Sequence, residues 1–102
     1  MYIELQEDNL EQILDKNEST LVMIGADWCG DCDDAHPIFK KISDETKDIS
    51  FIYVDADKFP NSRDLVEFTH IPTFVAFKGF GNYGQESGSD IDTIKKVLSY
   101  LK

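Results

Sequence analysis

Two short segments, Thr20 to Ala26 (T-L-V-M-I-G-A) and Ser50 to Ala56 (S-F-I-Y-V-D-A), constrain the fold of this chain more than any other feature. Each is a near-continuous apolar run too short for a comfortable helix, so each reads as a strand buried on both faces. Helices must therefore cover the sheet above and below. Thr73 to Lys78 (T-F-V-A-F-K) also reads as a strand, and Met1 to Leu5 as a short, weakly alternating one.

The residues between these runs supply the helices. Asp8-Asn9 can cap a helix carrying Leu10, Ile13 and Leu14 and ending near Lys16-Asn17. Cys29 to about Lys47 reads as a second helix with Ile38, Phe39 and Ile42 on one face, and Pro37 predicts a kink in it. Pro60-Asn61-Ser62 can open a short helix carrying Leu65, Val66 and Phe68. Glycines at 79, 81, 84 and 88 mark a turn, a short final strand and a loop. Asp90 or Asp92 caps a last helix with the apolar stripe Ile91, Ile94, Val97, Leu98 and Leu101. The order β-α-β-α-β-α-β-β-α describes an α/β fold: a central mixed five-stranded sheet, helices on both faces, and an antiparallel hairpin at one edge.

With 102 residues and 41% apolar content, the chain can bury one sizeable core, so residues 1–102 are expected to form a single domain and a monomer. Ten Lys and Arg stand against 20 Asp and Glu, a formal charge of −10 that repels nucleic acid and anionic membranes. No basic region followed by an apolar stretch opens the chain, and no apolar run approaches membrane-spanning length. Cys29 and Cys32 are the only cysteines, so there is no framework of structural disulfides. A reducing, cytoplasmic setting is expected.

Those two cysteines lie at i and i+3, where a strand gives way to a helix. Such a pair can close a small disulfide loop with little backbone movement. The first thiol then sits at the helix N-terminus, where unpaired N–H groups and the helix dipole stabilise an anion and make it a nucleophile near neutral pH. The second lies one turn in, shielded, and resolves the mixed disulfide by intramolecular attack.

In this context Trp28-Cys29-Gly30-Asp31-Cys32 resembles the W-C-G-P-C of the thioredoxin family. Pro37 matches the proline that kinks the family's active-site helix, and Ile71-Pro72-Thr73 matches the I-P-T that carries its cis-proline. Taken alone, Pro72 would read as an ordinary trans turn residue. The resemblance spans nearly the whole chain and implies the thioredoxin fold and a thiol–disulfide oxidoreductase acting as a reductant. It implies Cys29 as the attacking thiol and Cys32 as the resolving one. Trp28, Gly30, Ile71, Pro72 and Thr73 would form the docking surface for disulfide-containing protein or small-molecule substrates. No bound cofactor is implied beyond the redox-active Cys29–Cys32 disulfide itself. Electrons would come from a separate NADPH-dependent flavoprotein, a thioredoxin-reductase-like donor.

The chain also departs from the family pattern. Asp31 replaces the motif proline, Asp33 and Asp34 follow where a basic residue is common, and Met23 stands where many members carry a buried acid that moves protons for the resolving thiol. Tyr53 replaces the lysine often paired with that acid. A carboxylate about 7 Å from a thiolate, at an effective dielectric near ~60, costs the anion roughly 0.8 kcal/mol, or about half a pKa unit. Asp31 is therefore expected to raise the Cys29 pKa, to make the dithiol a stronger reductant, and to narrow the substrate range towards basic or neutral partners. Asp31, or a water it holds, is also the candidate to replace the missing acid during resolution. These aspartates, Asp31 included, read equally well as plain complements to the helix dipole.

Other readings of the same residues are weaker. Cys29, Cys32 and His36 with a fourth ligand would allow zinc, but the spacing matches no established zinc signature, and no metal is expected. His70, just before Ile71-Pro72, reads as an exposed loop residue or as a proton donor near the sulfurs. The rival function is a binding or chaperone-like module with weak redox activity, for which Met23 and the acidic surroundings speak.

Overall fold

Side chains leave a strand on alternate faces, and here both faces are dry. The structure, a computed structural model, describes residues 1–102. In β2 (Ser19–Gly25), β3 (Ser50–Asp55) and β4 (Thr73–Lys78), the side chains of Leu21, Met23, Phe51, Tyr53, Phe74 and Ala76 enter one core. Their neighbours Val22, Ile24, Ile52, Val54, Val75 and Phe77 enter the other. Each such fully buried side chain stabilises the fold by about 1.5–3 kcal/mol relative to an exposed one.

Helices α2 (Gly30–Glu45) and α4 (Ile91–Ser99) cover the first core with Ala35, Phe39, Ile42, Ile94, Val97 and Leu98. The second is covered by α1 (Leu10–Asp15), through Leu10 and Leu14, and by the segment that follows the short α3 (Pro60–Arg63), through Val66. The strand order is β1-β3-β2-β4-β5, with β1 (Tyr2–Glu4) and β5 (Gly81–Ser87) at the edges. β1, β3 and β2 run parallel, while β4 is antiparallel to β2 and β5 to β4. This is the expected mixed sheet with a hairpin at one edge, and the register sets Met23 opposite Tyr53 on one side and Phe74 on the other. Gly84, at φ 151°, has the Tyr100 ring where a Cβ would stand, which lets β5 lie close to the end of α4. No helix is long and apolar enough to cross a membrane.

Two local expectations differ from the outcome. The helix opened by Pro60 stops at Arg63, and Leu65, Val66 and Phe68 follow in a turn and the loop beyond it. The three do not make a common buried stripe: Leu65 is exposed, Val66 buried and Phe68 half-buried beneath the Arg63 guanidinium, 5.0 Å from the ring centroid. At α1, Asn9 takes the cap position without a side-chain bond, and the Leu10 N–H donates instead to Ser62 Oγ at 3.1 Å. Asp8 serves α3, accepting from the Asn61 and Ser62 N–H groups at 3.0 and 2.7 Å. Burial pulls the Asp8 carboxyl up, but the bonds from Ser62 and Asn61 outweigh it and hold it below its ordinary value. At α4 the cap is Asp90, which accepts from the Thr93 N–H at 2.9 Å, and Asp92 lies in the first turn. Pro37 lies inside α2, exposed, without ending it.

Candidate active site

β2 ends at Gly25, and the chain turns through Ala26, Asp27 and Trp28 to reach the first turn of α2. Cys29 is the residue at the helix cap: extended at φ −90° and ψ 112°, its Sγ accepts the Cys32 N–H at 3.1 Å. Its carbonyl accepts from Asp33 N–H at 3.2 Å, which locks the turn. The sulfur thus stands where the unpaired amides of the helix converge, the setting that favours a thiolate. Cys29 and Cys32 form a disulfide across a Cα–Cα distance of 5.2 Å. Cys29 is 6% exposed and Cys32 2%, so one sulfur borders the surface and the other is sealed.

The Ile71–Pro72 peptide is cis and lies beside the disulfide, with the Ile71 carbonyl oxygen 3.9 Å from Cys29 Sγ. Ile71 is half-buried, while Pro72 and Thr73 lie beneath the surface. The Pro72 carbonyl is engaged by Gly88 N–H at 3.1 Å, and Thr73 Oγ1 donates to the His70 carbonyl and meets Ser87 Oγ at 2.8 Å. Among the three, Ile71 is the one turned to the sulfur from the surface; Pro72 and Thr73 hold it there. Gly30 is exposed, and a Cβ there would meet nothing within 4 Å, so the glycine keeps the approach to the disulfide low and open.

Trp28 is 72% exposed, an unusual state for the largest apolar side chain. Its indole N–H donates to Asp57 Oδ2 at 2.6 Å, and Asp57 is in turn placed by Asp55, whose Oδ1 accepts the Asp57 and Lys58 N–H groups. Asp27 pairs with Lys58 at 3.2 Å, and this bond holds the exposed Lys58 ammonium above its ordinary value. Asp31, Asp33 and Asp34 are exposed, with Asp31 and Asp33 in the first turn of α2, where the helix dipole welcomes them.

Beside the disulfide runs a groove of about 270 Å³ lined by Trp28, Asp57, Arg63, Phe68, His70 and Ile71. Arg63 is the chain's one arginine, so the acidic rim is broken by a cation here, and its Nε has no hydrogen-bond partner. His70 is exposed, its Nδ1 bonded to Thr69 Oγ1 at 2.9 Å. His36 does not join the cysteines: it is stacked on Tyr53 at 4.4 Å between centroids, with Nε2 bonded to the Tyr2 hydroxyl. Met23 is wholly buried in the same core as Cys32.

Asp57, Arg63 and Phe68 escape a reading of spacing because they reach the site from beyond β3, about a third of the chain away. A turn signal at Asp55-Ala56-Asp57 gives the position of a loop and not its neighbour.

The sequence matches the family profile described as thioredoxin over residues 1–100. Among curated proteins it is 33% identical to thioredoxin H2-1 of Oryza sativa over 89 residues, covering 85% of this chain and 64% of the rice protein. It is 34% identical to mitochondrial thioredoxin-2 of Schizosaccharomyces pombe over 80 residues, 78% of this chain and 60% of that one. The chain thus spans somewhat less than two thirds of these two relatives. The crystal structure of Schistosoma mansoni thioredoxin superposes with a TM-score of 0.88 at 33% identity, over 99% of this chain and 95% of that one. A sheet of this order, a sulfur bordering the surface at a helix start and a cis-proline peptide beside it are accounted for together by common descent: the chain belongs to the thioredoxin family.

Proposed function

We infer that this protein is a thiol–disulfide oxidoreductase that reduces protein disulfides, working as one domain over residues 1–102 and as a monomer. The observation that carries this reading is the Cys29 sulfur: it is bonded to Cys32, capped by an α2 amide and borders the surface 3.9 Å from the Ile71 carbonyl.

In the reducing direction the Cys29 thiolate attacks one sulfur of a substrate disulfide. A mixed disulfide forms and the other substrate sulfur leaves as a thiolate. Cys32 then attacks Cys29 Sγ, the second substrate sulfur leaves, and Cys29–Cys32 closes. Trp28, Gly30 and Ile71 bound the docking surface, with Pro72 and Thr73 supporting it from below. An extended substrate segment has the Ile71 backbone to pair with, and the groove between Trp28 and Phe68 accepts its side chains. Electrons return from a thioredoxin-reductase-like flavoprotein that uses NADPH. The acidic first turn of α2 favours basic or neutral partners and narrows the substrate range. A chain whose two cysteines are both given to a redox pair suits a reducing compartment such as the cytoplasm.

Insulin precipitation in the presence of dithiothreitol tests the activity. The protein should accelerate it and Cys29→Ser should not; equal rates for the two would leave only a binding module. Cys32→Ser should accumulate mixed disulfides on Cys29, from which partners can be identified.

A further inference from the structure

We propose that Tyr53 is the proton relay of the resolving cysteine: its hydroxyl carries the Cys32 proton past Gly25 into an acidic cavity behind the sheet edge. This rests on the oxidoreductase reading given above.

Resolution demands that Cys32 attack as a thiolate, yet Cys32 is 2% exposed and Met23, buried in the same core, can neither take nor give a proton. The wall beside it is different. A Cβ on Gly25 would stand 3.1 Å from Cys32 Sγ and 3.2 Å from Tyr53 Oη, so sulfur and hydroxyl border the same gap. They are near enough for direct contact or for one bridging water. Any larger residue at position 25 would fill the space between them.

The far side of Tyr53 opens on water. Tyr53 lines a cavity of about 200 Å³ together with Glu4, Asp27, Asp55 and Lys58, room for several waters. Its hydroxyl has no hydrogen-bond partner in the protein, and it is not among the sealed polar atoms that lack one. Both of its hydrogen-bonding roles are therefore open to Cys32 and to the cavity. The ring is held in place from the other direction by the His36 stack, itself tied to the Tyr2 hydroxyl.

The ionisable groups around the phenol are Tyr2 and Glu4 of β1, Asp27 before α2, Asp33 and His36 on α2, and Asp55 and Lys58 at the end of β3. Burial, and then the carboxylates of Asp55, Asp27, Glu4 and Asp33, push the phenol up to about 12. The hydroxyl stays protonated throughout the physiological range. It cannot store the proton; it can only accept one while giving up its own. Burial, aided by Lys40 and opposed by Glu4 and Asp33, lowers the His36 pKa and keeps the imidazole neutral near pH 7.

The step balances without an outside oxidant or reductant. The Cys32 S–H proton passes to Tyr53 Oη as the hydroxyl proton moves to cavity water, and from there to solvent or a carboxylate. The Cys32 electron pair forms the bond to Cys29 Sγ. The bond from Cys29 Sγ to the substrate sulfur breaks, and its pair leaves on that sulfur, which takes a proton from solvent.

Tyr53→Phe tests the relay, because it keeps the ring on His36 and removes one oxygen. Reduced protein mixed with dithionitrobenzoate releases one chromophoric thiol when Cys29 attacks and a second when Cys32 resolves. In Tyr53→Phe the first phase should be unchanged and the second slowed about tenfold or more at pH 7, a threshold set below the roughly hundredfold or larger contributions typical of general acid–base catalysis. Its rate should then climb with pH up to the Cys32 thiol pKa, and the solvent deuterium effect of the parent should change. A merely structural role would lower the melting temperature and leave the pH profile and isotope effect as they are. An unaltered second phase overturns the relay while leaving the oxidoreductase reading intact. So does a second phase that Asp31→Asn slows and Tyr53→Phe does not. A parent that shows no second phase overturns both.

Discussion

The indole N–H of Trp28 is fastened to the carboxylate of Asp57 at 2.6 Å, joining the loop before α2 to the loop after β3. A large exposed side chain would otherwise sample several rotamers, and this bond to a charged acceptor holds it over the groove beside Cys29. Asp57→Ala should therefore cost an exposed charge-assisted bond, about 1 kcal/mol, and lower kcat/KM for a protein disulfide threefold to tenfold. Alkylation of Cys29 by iodoacetamide should hardly change, since the sulfur's own amide partner remains. A variant with full insulin-reducing activity would show that Trp28 needs no anchor.

Asp31 is exposed in the first turn of α2, two residues from Cys29. If its charge opposes the thiolate by about half a pKa unit, Asp31→Asn and Asp31→Pro should each alkylate about threefold faster at a pH below the thiol pKa. Raising the salt concentration should shrink the difference. Equal rates in parent and variants at low salt would remove any electrostatic role for this residue.

Phe39 is fully buried, with its ring 5.2 Å from Phe51, 5.7 Å from Phe74 and 6.0 Å from Tyr2. It seats α2, and hence the helix start that bears both sulfurs, on the sheet. Phe39→Ala should cost about 3–5 kcal/mol, a large part of the 5–15 kcal/mol typical of a domain. A melting temperature lower by about 15 °C or more is expected in calorimetry. A small shift would mean that the core closes over the cavity.

Stability should depend on His36 in weakly acidic solution. Burial lowers its pKa from 6.5 in the folded state, so the unfolded chain binds this proton at higher pH. The unfolded state then holds more protons just below pH 6.5, and stability rises with pH there. The contribution is complete above the unfolded value and is lost as pH falls through the folded one. Urea midpoints of the parent should drop between about pH 6.5 and 5, and His36→Gln should flatten that slope. Parallel slopes would assign the loss to carboxylates.

Much of the sheet was legible because burial on both faces leaves a mark in one dimension. Leu21 through Ile24 and Phe51 through Val54 are apolar without a break, and only strands between helix layers need that. The helix after Pro60 is shorter than its apolar residues suggest, because Leu65, Val66 and Phe68 are apolar for separate reasons, one of them lying beneath Arg63. Asn9 takes the expected cap position of α1, but what its neighbour Asp8 bonds is beyond local reading: its N–H donors are Asn61 and Ser62, more than fifty residues away.

The same division holds at the sulfurs. Spacing determined that Cys29 and Cys32 lie within one helical turn of each other, because i and i+3 are neighbours on any helix, and the buried strand just before them determined that the first opens the helix. Tertiary structure decided what surrounds them. Parallel pairing of β2 and β3 sets Tyr53 opposite Met23 and brings its hydroxyl to the gap at Gly25, while the loops bring Asp57 to Trp28 and Ile71 to Cys29. A slip of one residue in that register would turn Tyr53 to the other face of the sheet. Proton transfer and docking depend on distances of a few ångströms between residues far apart in the chain, and those distances exist only once the strands have paired.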